Sequence, residues 1–272
     1  MVYKNIETRH GAVSYYDNEV QSEKPTLVLI HGNSCSSEVF YQQINSPLFS
    51  GVRIIAPDLP GHGRSLNAID PTVTYCMEGY ADVLSEVFEL LSLNTIVIVG
   101  WSLGGHIGLE ILLRYSDVAG IVITGTPPVS SKNITEGFHA TDSVGLAGKA
   151  DLTDEQLFQL ATSISGENFA TEFFADVKRT DGLAREIMFN KFIAGTGADQ
   201  SELVSKIKTP IAILNGERDP FINTQFIDTI KIQNLWGGKQ FIFENSGHTP
   251  FLDESEKFND FLLKFYNSVN VY

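Results

Sequence analysis

Ser102 lies in GWSLG, residues 100–104, between the apolar run TIVIV (95–99) and a helical pattern that opens at Leu103. A serine at a strand-to-helix reversal sits on strained backbone. Glycines two positions to either side, Gly100 and Gly104, keep side chains clear of the adjoining strand and helix. Such a turn presents a hydroxyl for attack on a carbonyl carbon, but a hydroxyl is a weak nucleophile near neutral pH and needs a base. Among six histidines, His248 in ENSGHTPFLDE is the best placed, because it follows the last expected strand and precedes the final helix. His31, His62 and His106 stand in turn or packing contexts. The acid that orients the imidazole belongs after the preceding strand, where IAILNGERDPF offers Glu217 and Asp219. Asp219, beside Pro220 and deeper in the loop, is the preferred partner, with Glu217 and Asp253 as fallbacks. Its carboxylate would hold the imidazole tautomer and stabilise the imidazolium.

A developing oxyanion needs two preorganised donors. The N–H of Leu103, at the helix start, is one candidate. The other is the N–H of Asn33, in the loop HGNSCS that follows an apolar strand. The loop APDLPGHGRS carries Asp58, His62 and Arg64, which read as scaffolding.

These residues must be brought to one sheet edge. Apolar, β-branched runs recur at 26–30, 53–56, 95–99, 120–124, 211–214 and 240–243, and residues 1–17 suggest an antiparallel edge pair. Continuous rather than alternating hydrophobicity indicates strands covered on both faces, as in a parallel sheet. Tyr80, Leu84, Val87, Phe88 and Leu91 make a helical stripe, and Phe258, Phe261, Leu262 and Phe265 make another in the last helix. The expected fold is α/β: a mostly parallel, eight-stranded sheet flanked by helices. From about Pro128 to Ser201 no convincing strand occurs, only helical segments such as EQLFQLATSI and LAREIMFNKF. That interval exceeds a connecting loop. It reads as a helical cap, 129–200, over a core formed by 1–128 and 201–272, at the carboxyl edge where α/β ligands bind.

The chain of 272 residues has a net charge of -14, which makes nucleic acid and anionic membrane surfaces poor partners. Its apolar runs fall short of a bilayer span, and MVYKNIETRH carries no leader pattern, so a cytoplasmic location is expected. Two cysteines, Cys35 and Cys76, suit neither a disulfide framework nor a zinc site. Little weight falls on NIT at Asn133 as a glycosylation site. The dinuclear metal signature H-x-H-x-D-H does not occur, so no metal or other cofactor is expected.

The order Ser102, Asp219, His248 resembles that of the α/β-hydrolase superfamily. More closely, HGNS, APDLPGHG, MEGYAD, GWSLGGHIG, ITGTPP, NLWGGK and GHTPF resemble the AidH-type N-acyl-homoserine lactone hydrolases. The likeness continues through the cap in LAG (146–148) and GTGADQ (195–200). It implies metal-independent serine chemistry on quorum signals, with Ser102, His248 and Asp219 at the matching positions. It also implies substrate contacts from Trp101 and from position 160. Two departures stand out. Asp219 replaces the family's glutamate, one methylene shorter, and Leu160 aligns with a cap tyrosine, which removes a hydroxyl from the place where the family contacts the acyl amide. The expected activity is opening of a homoserine lactone ring. Rivals are a carboxylesterase or carbon–carbon hydrolase with the same triad, and a small-molecule receptor on a hydrolase scaffold.

Overall fold

The computed structural model describes residues 2–166 and 169–269. Eight strands form one sheet: β1 (Tyr3–Thr8), β2 (Gly11–Asp17), β3 (Thr26–Ile30), β4 (Ile54–Pro57), β5 (Ile96–Trp101), β6 (Val118–Thr124), β7 (Ile211–Gly216) and β8 (Phe241–Phe243). Their spatial order is β1-β2-β4-β3-β5-β6-β7-β8. β2 runs antiparallel to both β1 and β4, and every other neighbouring pair is parallel. The expected eight-stranded, mostly parallel architecture is thus the observed one. β3, β4, β5 and β7 are buried at every position, because helices cover both faces of the central sheet. Short β8 closes one edge, with Ile242 exposed and Phe243 buried.

Five longer helices bear on the site: α1 (Met77–Leu90), α2 (Leu103–Ile111), α3 (Asp154–Ser165), α4 (Ala170–Arg179) and α5 (Gly182–Ile193). α1 buries Tyr80, Leu84, Val87 and Phe88 as its stripe requires, while Leu91 falls one residue beyond its end. A sixth, α6 (Ser255–Val269), packs Phe258, Leu262 and Phe265 inward. Between β6 and β7 the described residues form α3, α4, α5 and short helices at Ile134–Gly137, Asp142–Leu146 and Gln200–Val204, with no strand. α3 begins with a capping box, Thr153 with Gln156. No helix among the described residues is long and apolar enough to cross a membrane.

Candidate active site

β5 delivers Ser102 at its carboxyl end, flanked in register by β3 and β6: Gly100 pairs with Ile30 on one side and Ile123 on the other. Ser102 has φ 53° and ψ -118°, a left-handed backbone that a side chain rarely adopts. The close approach of α2 sustains it. A Cβ on Gly100 would lie 2.4 Å from the Gly104 carbonyl oxygen, and one on Gly104 would lie 2.1 Å from that of Ile30. Thr126 adds a tether, its Oγ1 donating to the Ser102 carbonyl at 3.0 Å.

His248 and Asp219 meet. Nδ1 of His248 lies 2.6 Å from Oδ2 of Asp219, and both side chains are buried. The other Asp219 oxygen accepts the N–H groups of Phe221 and Ile222 at 2.8 and 3.2 Å, so the turn after β7 clamps the carboxylate. With Nδ1–H donated to Asp219, Nε2 keeps its lone pair. The imidazole packs against Phe221 at 4.7 Å and Trp101 at 5.5 Å between ring centroids, and Trp101 Nε1 donates to the His248 carbonyl at 2.8 Å. Beneath the ring lies Gly125 (φ +61°), where a Cβ would come 2.6 Å from His248 Cε1. The Gly125 N–H donates to buried Asn215 at 2.9 Å, which ties the ends of β6 and β7 together. No motif marks Gly125, Thr126 or Asn215 as part of the site; the positive φ a glycine permits within ITGTPP is the signal the sequence offers.

The two fallback acids stand apart. Glu217 is exposed, and Asp253 instead accepts the Gly247 N–H at 2.9 Å, shaping the loop that carries His248. Asp58 braces the loops: it accepts from the Ser37 N–H and hydroxyl at 2.7 and 2.6 Å and from the Arg64 N–H at 2.7 Å. His31 accepts the Leu59 N–H on Nε2 at 2.9 Å. Burial holds the pKa values of both His31 and His62 below the usual histidine range.

Ser102 and His248 share the wall of a cavity of about 320 Å³ with Asn33, Trp101, Leu103 and Leu160. Most of the remaining wall is apolar, from residues such as Ile164, Met188 and Phe192. Leu103 opens α2, where the first N–H groups of a helix have no intrahelical acceptor. Asn33 reaches upward as well, its Nδ2 donating to Ala147 at 2.9 Å. His106, expected in a turn or packing context, is buried against Phe138 and Phe192 and also lines the cavity.

A strained serine, a buried histidine–carboxylate pair and a helix N-terminus around one apolar cavity form a constellation suited to acyl transfer. The chain belongs to the alpha/beta hydrolase family, whose model matches residues 27–261. Two solved structures resemble it over nearly its whole length. An N-acyl homoserine lactonase AidH mutant complexed with N-hexanoyl homoserine lactone is 41% identical, with TM-score 0.95, covering 99% of this chain and 98% of that one. AidH complexed with N-butanoyl homoserine is 40% identical, with TM-score 0.96, covering 100% and 98%. A more distant relative, at 25% identity over 97% of this chain and 99% of its own, is the bifunctional esterase/perhydrolase DCH of Acinetobacter calcoaceticus.

Proposed function

We propose that this chain is an N-acyl-homoserine lactonase acting by serine chemistry, with residues 129–200 as the cap over its site. The buried His248–Asp219 hydrogen bond in the wall of the cavity that Ser102 shares carries the reading. The whole-length likeness to AidH, seen with an N-acyl lactone and with an N-acyl homoserine, supports the substrate class.

His248 Nε2 takes the Ser102 hydroxyl proton as Oγ bonds to the lactone carbonyl carbon. The N–H groups of Leu103 and Asn33 hold the oxyanion. As the tetrahedral intermediate collapses, the ring C–O bond breaks and His248 returns its proton to the departing oxygen. The acyl-enzyme then carries a tethered alcohol. Water, deprotonated by the same imidazole, attacks the ester carbon, Oγ leaves with the proton, and N-acyl homoserine is released. Asp219 fixes the Nδ1–H tautomer and stabilises the imidazolium in both halves. Trp101 and Leu160 line the path of the acyl chain.

A plain carboxylesterase has the same triad, and the relationship to DCH favours it as the second reading. Mass spectrometry on acyl-homoserine lactones of several lengths, near neutral pH against a buffer blank, separates the two. A gain of one water is expected, and Ser102→Ala should abolish it while leaving the protein folded. Hydrolysis of simple aryl esters alone would establish the esterase, and near-normal turnover by Ser102→Ala would overturn the serine mechanism.

A further inference from the structure

Of the buried polar side chains in the cavity wall, His106 is the one the mechanism leaves unused. It is 4% exposed on α2, one helical turn beyond Ser102, between the rings of Phe192 at 4.8 Å and Phe138 at 6.1 Å. Its Nδ1 lies 2.7 Å from Oε1 of Gln200, itself buried and anchored through its own N–H to the Val129 carbonyl at 3.1 Å. An amide oxygen can only accept, so Nδ1 carries the ring proton and Nε2 is left as a lone-pair acceptor. Burial draws the His106 pKa down to about 4, so the ring is neutral at ordinary pH. Nε2 has no hydrogen-bond partner among the described residues, although it belongs to a side chain lining the cavity.

An acceptor in an otherwise apolar wall selects for a ligand that brings a donor, because an unmatched buried polar group costs affinity. Four residues of helix rise about 6 Å from Ser102 to His106. Five bonds separate the attacked lactone carbon from the third carbon of the acyl chain, which spans on the order of 6 Å when extended. We propose that His106 is a specificity residue that accepts a hydrogen bond from a hydroxyl on the third acyl carbon, making 3-hydroxyacyl-homoserine lactones the preferred substrates. This rests on the lactonase reading above. A 3-oxo group has no donor and sets its own lone pairs against Nε2, and an unsubstituted chain leaves Nε2 unpaired.

The test is the ratio of kcat/KM among 3-hydroxyhexanoyl (each enantiomer), 3-oxohexanoyl and hexanoyl homoserine lactones. One net buried hydrogen bond corresponds to roughly fivefold. The better 3-hydroxy enantiomer should lead hexanoyl by that factor, with 3-oxohexanoyl last. His106→Leu should collapse the ratio. Gln200→Leu, which frees the tautomer, should shrink it and raise 3-oxohexanoyl relative to the others. The ranking in the unaltered protein needs no variant to fold. Hydrolysis of all three at a common kcat/KM, a 3-oxo preference, or a ratio unchanged in His106→Leu would overturn the inference and leave the lactonase reading standing. Hydrolysis of none would overturn both.

Discussion

Asp219, at the sheet edge, and Asp176, on α4 above it, are two carboxylates withdrawn from water in different ways. Asp219 has His248 on one oxygen and two backbone N–H donors on the other. Asp176 has the Ser36 hydroxyl on Oδ2 at 2.6 Å, with Asp58 and Glu38 as electrostatic neighbours of like sign. Burial foremost, then those two charges, lifts the Asp176 carboxyl to about 6. The floor of the site is therefore held by satisfied groups just beyond the ends of the neighbouring strands β5, β6, β7 and β8. Contacts between distant segments hold the helices above it: Asn33 to Ala147, Tyr75 to Asp181, and Glu110 to the backbone of Ala198. Arg185 donates to the carbonyls of Lys149, Ala150, Val177 and Thr180. On the proposed reading, the floor does the chemistry and the helices fastened above it select what enters.

The sharpest way to break this contrast is on the floor. Asp219→Asn removes the acceptor for His248 Nδ1–H and misplaces the tautomer, so kcat should fall by roughly 10⁴. Exposed Glu217→Gln should stay within about twofold, because surface changes away from such contacts are small. Steady-state kinetics on both variants decides it; the reverse ranking would move the orienting role to Glu217.

That floor was legible in the sequence for a physical reason. A reacting group at a strand end leaves local marks: glycines around Ser102, and an acid and a histidine each just beyond an apolar run. The expected strands match the observed ones to within two residues at most ends, because buried parallel strands read as unbroken apolar runs. The roof was legible only as helical. Nothing in the sequence singles out α4, ATEFFADVKR, or Asp176, whose partner Ser36 stands 140 residues away. Such a pairing has no period or short motif to betray it. His106 escaped for the same reason, since Gln200, Phe138 and Phe192 all come from the segment around the cap.

The roof should respond to pH through Asp176. A carboxyl raised from the ordinary 3.8 to about 6 in the folded chain binds its proton more tightly there than in the unfolded chain. Stability therefore falls as pH rises from about 4 to about 6, and the carboxyl's effect is constant above that window. Asp176→Asn keeps an oxygen to accept from Ser36 and removes the charge. Its stability at pH 7 should exceed the parent's by on the order of 1–2 kcal/mol, with the difference vanishing near pH 4. Thermal melts across that range check it, and a parent whose extra loss of stability lies below pH 4 would show Asp176 charged and well paired instead.

The smallest effect concerns Leu160, on α3, which is fully buried and lines the cavity. Leu160→Tyr places a phenolic hydroxyl in the roof above Ser102. If that hydroxyl reaches the acyl amide, discrimination between acyl-homoserine lactones and simple lactones should change several-fold, the worth of about 1 kcal/mol from one buried hydrogen bond. The added bulk acts in the other direction, since overfilling a packed site is costly, and long acyl chains should feel it first. Both effects are differential, so they move the ratio of kcat/KM between substrates. A uniform change across short, long and amide-free substrates would assign Leu160 to the packing of α3 against its helical neighbours. Selectivity would then lie lower in the cavity, toward His106.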